Sequence, residues 1–219
     1  MVQSKEWQWE IVKDTIWLEP SEESRFYCEK WKREGRKSLL DIGAGLGRHS
    51  ILFAVHHFAV SAVDLSEYAI NYLNHWSEKE GLSISTKVCD MKKLPFPDQT
   101  FDCIWAYHSI SHTDSLGFAE ILEDVERVLK PGGEIYLSLA SKDSGNYSKG
   151  LLPQLDRNTI IKTEEGPEKG IPHFYVDLGD ILTLFKHFKI ERVRHVDDCY
   201  SQGEITDNKH YFILARLHK

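Results

Sequence analysis

The stretch Leu39-Leu40-Asp41-Ile42-Gly43-Ala44-Gly45-Leu46-Gly47-Arg48 constrains this chain more than any other. An apolar run stops in three glycines at alternate positions, and an amphipathic pattern begins straight after them. Glycine has no Cβ, so it permits a sharp left-handed turn and lets a ligand come close to the backbone. A strand that passes through such a loop into a helix is how open α/β sheets build a crevice at the carboxyl ends of their strands. A glycine cluster alone can also be a plain tight turn, so its meaning depends on what surrounds it.

From Lys37 onward, short apolar runs alternate with amphipathic stretches, the pattern of parallel strands with crossover helices. The runs fall at 38–42, 59–63, 83–88, 101–107, 134–140, 188–196 and 210–217. Ala69, Tyr72, Leu73 and Trp76 form one helical stripe behind Ser66 as N-cap. Phe118, Ile121, Leu122, Val125 and Leu129 form a second, which Lys130-Pro131-Gly132-Gly133 ends. Leu178, Ile181, Leu182 and Phe185 form a third after Asp177. The polar residues 197–209 show no clear helix, which predicts a hairpin-like link and an antiparallel last strand. The expected fold class is therefore α/β, a seven-stranded, mostly parallel sheet with an antiparallel last strand and helices on both faces.

With 219 residues, the chain is expected to form a single domain, 1–219. Residues 1–36 read as an N-terminal helical cap that carries Trp7, Trp9, Trp17 and Trp31, with Trp9, Val12 and Ile16 at helical spacing. Residues 37–140 read as the ligand-binding core and 177–219 as a C-terminal helix and strands. Residues 141–176, rich in Gly, Pro, Lys and Glu, read as an insertion on the substrate side; loops this long are usually functional or mobile. The formal charge of −7 and the dispersed Lys and Arg disfavour a nucleic-acid partner, whose phosphates call for a basic surface. Cys28, Cys89, Cys103 and Cys199 are scattered and read as reduced thiols. No apolar run approaches the roughly 20 residues of a membrane span. The opening Met-Val-Gln-Ser-Lys-Glu-Trp has no apolar signal core, so no membrane partner and a cytoplasmic location are expected.

Two acidic positions give the glycine loop its meaning. Asp64 ends the second apolar run, where a carboxylate can accept both hydroxyl protons of a ribose; capping of the next helix is the plain alternative. Asp90-Met91 follows the third run, where a carboxylate can accept from an adenine amino group and a thioether can pack on the ring. Three such features at one end of neighbouring parallel strands describe an adenosine-shaped groove.

These residues resemble the class I S-adenosylmethionine-dependent methyltransferase family, of the type acting on small molecules. Asp41-Ile42-Gly43-Ala44-Gly45-Leu46-Gly47 is similar to its first motif and Val63-Asp64-Leu65-Ser66 to its second. Asp90-Met91 with Leu94-Pro95-Phe96 is similar to its third, Phe101-Asp102 opens the fourth strand, and Leu129 to Gly133 resembles the turn before the fifth. The likeness covers roughly 37–140 and the antiparallel ending. It implies a Rossmann-like fold and S-adenosyl-L-methionine as cofactor. Asp41 and the loop residues Gly43, Ala44, Gly45 and Gly47 would hold its methionine part, Asp64 and Leu65 its ribose, and Asp90 and Met91 its adenine. Tyr107 would sit near the sulfonium.

Two other readings remain. A nicotinamide-dependent oxidoreductase would need Gly-x-Gly-x-x-Gly, yet the third glycine is Arg48 counted from Gly43 and Ser50 counted from Gly45. A protein that binds the cofactor without transferring methyl is distinguished only by the absence of S-adenosylhomocysteine as product. After the fourth strand the chain reads Ala106-Tyr107-His108-Ser109, unlike the Asn/Asp-Pro-Pro-aromatic signature of enzymes that methylate base amino groups or glutamine amides. Cys103, inside a strand, reads as a core thiol rather than a cytosine C5 nucleophile.

Methyl transfer is an in-line displacement that depends mostly on alignment and exclusion of water, with a base needed only for a tightly held proton. His112 is the candidate catalytic base, against a plain loop-shaping role. His173 and Tyr175 are candidates for the substrate side, against surface packing. His108 and His112 sit four apart with Asp114 nearby, a metal-type spacing if the piece is helical, but no third and fourth ligands stand out, so no metal is expected. His56-His57 reads as a solvated helix end. The acceptor, the attacked atom and the oligomeric state stay open.

Overall fold

In the computed structural model, which describes residues 2–201 and 203–218, the core strands are β1 (Ser38–Ile42), β2 (Ala59–Asp64), β3 (Ile84–Val88), β4 (Phe101–Ala106) and β5 (Leu129–Ser141). They lie parallel in the order β3-β2-β1-β4-β5. Two long strands, β9 (Phe188–Ser201) and β10 (Glu204–Leu217), form a hairpin whose second arm runs antiparallel along β5, with His210 opposite Ala140 and Arg216 opposite Glu134. The expected hairpin and antiparallel ending are thus present. Most of the polar residues 197–209 extend its arms instead of forming a loop.

The alternation within each strand sorts side chains to two faces, because successive residues of a strand point opposite ways. Leu40, Ile42, Ile104 and Ala106 pack on one face with Phe118, Ile121 and Val125 of α4 (Ser115–Val128) and Ile181 of α6 (Leu178–Leu184). Leu39, Val60, Cys103 and Trp105 pack on the other with Tyr27, Cys28 and Trp31 of α1 (Glu22–Arg33) and Phe53 of α2 (Arg48–Val55). Full burial of a side chain as large as Trp31 or Phe53 contributes about 1.5–3 kcal/mol each. Helix α3 (Glu67–Lys79) adds Leu73 against Ala62, behind Ser66, whose hydroxyl accepts from the Ala69 N–H.

Several predicted faces differ in detail. Tyr72 is exposed, and Ile70 takes its place on the buried side of α3, because the true stripe runs Ala69-Ile70-Leu73-Ser77. Helix α4 ends at Val128, so Leu129 opens β5 and the Pro131-Gly132-Gly133 turn becomes an irregular start to that strand. In α6, Leu178 and Leu182 face solvent, while Ile181 and Phe185 carry the packing. Asp177 and Asp180 form a reciprocal capping box at its start.

The larger corrections lie in the two segments outside the alternation. Residues 2–20 do not form the helix that Trp9, Val12 and Ile16 suggested. Two short 3-10 turns, Trp9–Ile11 and Thr15–Leu18, alternate with extended chain, and among the described residues before β1 only α1 is α-helical. The insertion supplies one short helix, α5 (Gly145–Ser148), and three strands, β6 (Gln154–Asp156), β7 (Thr159–Ile161) and β8 (Pro172–Val176). Among the described residues the sheet therefore has ten strands instead of seven. Strand β5 outruns β4, whose last partner is Leu137, while β10 occupies the opposite edge through Ala140. That leaves the end of β5 free on the β4 side, where β8 docks parallel with Tyr175 opposite Ala140 and Val176 opposite Ser141. The consequence is positional: β8 lies over the carboxyl end of β4.

Candidate functional site

A cavity of about 380 Å³ opens at the carboxyl ends of β1, β2 and β4. Its floor is the glycine loop. Gly45 and Gly47 have φ of +55° and +97°, a region that L side chains adopt only with strain. The Gly47 backbone packs so closely on Leu73 that a Cβ would fall 2.3 Å from that side chain, so Gly47 fixes helix to sheet and does not line the cavity. Gly43, Ala44 and Gly45 do line it.

Asp64 braces the same loop. Its Oδ2 accepts from the Gly45 N–H at 2.8 Å and its Oδ1 from the Ser66 N–H at 2.9 Å. Burial raises its carboxyl above the usual range, against these backbone donors. Asp41 lies beneath the loop, nearly fully buried, and accepts from the Ser50 hydroxyl at 2.6 Å. Burial, eased by Ser50 and reinforced by Asp64, pushes it up to about 7. It supports the loop from below and does not reach the cavity surface. Leu65, Asp90 and Met91 line the adjoining wall, with Asp90 Oδ1 accepting from the Lys92 N–H at 3.0 Å.

The roof is built by the tryptophan-rich N-terminal segment that the sequence reads as a cap. Trp7, Trp9 and Trp17 pack edge to face, with ring centroids 4.3, 4.8 and 5.8 Å apart. Trp9 stands directly over Gly45, where a Cβ would meet its ring at 2.4 Å. Arg48, one residue past the motif glycines, holds this strap: its Nη1 donates to the carbonyls of Ile16 at 2.8 Å and Glu19 at 3.2 Å. Its guanidinium lies 5.2 Å from the Trp17 ring centroid and 5.8 Å from that of Tyr107. His49 Nε2 accepts from the Ser21 N–H at 3.3 Å. At the other rim, the strap's Gln8 N–H donates to the Pro167 carbonyl at 3.2 Å and Lys5 Nζ to that of Lys169. The sequence signal is the run of tryptophans before the first strand, which need an apolar surface to cover; the anchoring by Arg48 carried no signal.

The far end of the cavity gathers polar groups from 107–112, the insertion and β10. Tyr107 stacks on Trp105 at 5.8 Å, and burial pushes its phenol up to about 12. His112 Nε2 lies 3.8 Å from Glu168 Oε1, and His173 Nε2 lies 3.2 Å from the same oxygen. The Phe174 N–H donates to the Ser111 carbonyl at 2.8 Å, which ties β8 to the His112 loop. Burial, then the neighbouring His173, pushes the His112 imidazole down to about 3, so it stands neutral at ordinary pH. Glu168 is held down at about 2, because His173, His112 and Lys162 outweigh its own burial. Tyr175 also lines this end, its phenol held up by burial. Glu168 carried no sequence signal that set it apart from Glu164 and Glu165. Asp114 is not grouped with His112; it caps α4, accepting from the Gly117 N–H at 2.8 Å.

These groups suit the expected cofactor. Half-buried carboxylates at strand ends and a loop of bare backbone match a ribose diol and a cationic sulfonium and ammonium. They do not match a pyrophosphate, since Arg48, the cation beside the loop, is already engaged by the strap.

Comparisons with known proteins agree. Residues 39–133 match the family described as a methyltransferase domain. A sterol 24-C-methyltransferase of Gibberella zeae is 37% identical over 100 residues, 43% of this chain and 25% of that protein. A sarcosine/dimethylglycine N-methyltransferase of Aphanothece halophytica is 32% identical over 130 residues, 57% of this chain and 46% of that protein. The matched regions thus span less than half the length of these curated relatives. A solved structure of an S-adenosylmethionine-dependent methyltransferase from Methanosarcina mazei superposes with a TM-score of 0.72 at 22% identity, covering 84% of this chain and 93% of that one, a likeness of fold. Motif, topology and relatives converge on residues 39–133, which match the methyltransferase-domain family.

Proposed function

We propose that the chain, acting as a single domain, transfers the methyl group of S-adenosyl-L-methionine to a small molecule held between the glycine loop and the insertion. One observation carries this reading: a single cavity joins the cofactor-type wall of Gly43, Gly45 and Asp64 to the His112, His173 and Tyr175 wall. The cofactor, when bound, supplies an electrophilic methyl on a positive sulfur. The chain's own residues do the rest. Asp64 accepts from the ribose diol beside Leu65, and Asp90 and Met91 meet the adenine. Gly43, Ala44 and Gly45 take the methionine part, supported from beneath by Asp41 and Gly47. Tyr107 lies between the two halves, and the tryptophan strap keeps water from the reacting centre. His112, held neutral, presents a lone pair instead of a charge at the acceptor end, which His173 and Tyr175 also line.

The roof and the β8 hairpin enclose the acceptor end, which favours a small molecule over a macromolecule. The activities of the relatives, on sterols and on sarcosine or dimethylglycine, accord with that class. The net charge of −7 disfavours nucleic acid as acceptor. Among the described residues no helix is long and apolar enough to cross a membrane, which accords with a cytoplasmic site of action.

Binding is the direct test. S-adenosylhomocysteine should raise the melting temperature in proportion to the logarithm of its concentration, since a ligand selective for the folded state adds stability by mass action. Stabilisation by NAD or NADP, with none by S-adenosylhomocysteine, would overturn the assignment.

A further inference from the structure

We infer that His112, Glu168 and His173 form a binding site for one divalent transition-metal ion of the zinc type, at the acceptor end of the cavity. The two imidazoles and the carboxylate each offer one ligand atom, and these atoms all lie within 4.8 Å of one another. Tetrahedral zinc, with bonds of about 2.0–2.1 Å, sets its ligand atoms about 3.3 Å apart. The separations of 3.2 Å from His173 to Glu168 and 3.8 Å from His112 to Glu168 are close to that spacing. The two imidazoles, within 4.8 Å of each other, draw together by side-chain rotation when the ion binds.

The hydrogen-bond pattern points the same way. His173 Nδ1 lies 3.1 Å from the Ile171 carbonyl, which can only accept, so Nδ1 carries the proton. In the neutral ring Nε2 is then a bare lone pair. It is buried, makes no hydrogen bond, and faces a carboxylate oxygen that is itself only an acceptor. With Nε2 buried and the Glu168 side chain 35% exposed, two acceptors facing each other need a positive charge between them, either a proton on Nε2 or a metal ion. The third donor, His112, beside the same oxygen favours the metal ion. A His whose remote N–H is fixed by a backbone carbonyl is also how metal-binding imidazoles are oriented. Lys162 Nζ, 3.8 Å from Oε2, engages the other carboxylate oxygen and leaves Oε1 to the histidines.

The frame is preorganised. The turn holding Glu168 is closed by bonds from Ile171 N to the Glu168 carbonyl at 3.0 Å and from Gly170 N to the Lys162 carbonyl at 2.7 Å. Three protein ligands leave at least one position of a tetrahedral ion open, and the cavity lies on that side. The ligand class for that position is an acceptor with an ionisable hydroxyl or thiol. On coordination it sheds its proton to water near neutral pH. Its retained electron pair attacks the cofactor's methyl carbon, forming the oxygen–carbon or sulfur–carbon bond as the methyl–sulfonium bond breaks and S-adenosylhomocysteine leaves. This role rests on the methyltransferase reading, whereas the metal site itself does not.

Tag-free protein, stripped with a chelator, would be titrated with zinc chloride by calorimetry and with cobalt(II) by visible absorbance. Wild-type protein should take up one ion per chain, with cobalt bands of low-coordinate intensity. His173→Ala and the near-isosteric Glu168→Gln should each weaken binding at least about 100-fold, since losing a direct ligand costs more than the 10–100-fold typical of its supporting partners. Both variants should still bind S-adenosylhomocysteine, which shows that they are folded. No stoichiometric ion in wild-type protein, or undiminished binding in both variants, would overturn the metal site. Zinc uptake as described with no S-adenosylhomocysteine binding would instead overturn the methyltransferase reading.

Discussion

Asp64 has both carboxylate oxygens engaged by backbone N–H groups before any ligand arrives. Each oxygen has two lone pairs, so bracing the loop and accepting from a ribose are compatible. Asp64→Ala should weaken S-adenosylhomocysteine binding by about 1–3 kcal/mol, the usual cost of a lost charge-assisted partner. Calorimetry on the folded variant measures this, and unchanged affinity removes the ribose role. At this scale the sequence reveals residues whose chemistry is tied to a position in a motif. Asp64, Asp90 and Gly45 are visible because each must stand at the end of a recognisable strand. Arg48 and Glu168 are not, since their partners lie in segments that no local pattern ties to the motif. Asp41 and Gly47 are visible as motif residues, yet only packing shows that they act through the loop from behind it.

The tryptophan strap is an element with almost no hydrogen-bonded structure of its own, held by contacts to other elements. Arg48 supplies two of its backbone anchors and the cation beneath Trp17. Arg48→Ala should therefore raise amide exchange across residues 5–18 while leaving β1 and β4 protected. In wild-type protein, S-adenosylhomocysteine should lower exchange in 5–18 and 160–175 together with 43–47. Unchanged exchange in the first two segments, alongside protection at 43–47, would leave strap and insertion as decoration. The strands of the core were legible because a two-residue alternation and flanking turns suffice to specify them. The strap misled because Trp9, Val12 and Ile16 have helical spacing, while the surface they cover is a cavity rim and not a helix-packing face. Strand β8 was hidden for a related reason: its place exists only because β5 outruns β4 on one edge.

For the whole molecule, acid should act in two windows. His49 is buried against Trp105 and Tyr107, and desolvation, then Arg48 and His108, holds it neutral well below its ordinary value. The unfolded chain takes up that proton below about pH 6.5, so stability present above this value declines as pH falls, by up to about 1.4 kcal/mol per pH unit. His49→Gln, which can still accept from Ser21, should flatten this decline between about pH 6.5 and 5. Asp102 acts lower down. Lys130 and the N–H groups of Ser38 and Lys37 outweigh its burial and hold its carboxyl well below the usual range. Its contribution is complete above about pH 4 and is lost only as pH falls further. Melting temperatures across pH should show the first window shrinking in His49→Gln and the second in Asp102→Asn. The strap also orders events in time. Its anchors include Asp114, reached by the Val2 N–H, Lys169, reached by Lys5, and Pro167, reached by Gln8. These partners are synthesised more than a hundred residues after the strap, and contacts so distant along the chain form slowly. Three indole rings thus leave the ribosome well before the residues that hold them in place, exposed to chaperones until the insertion has emerged and folded.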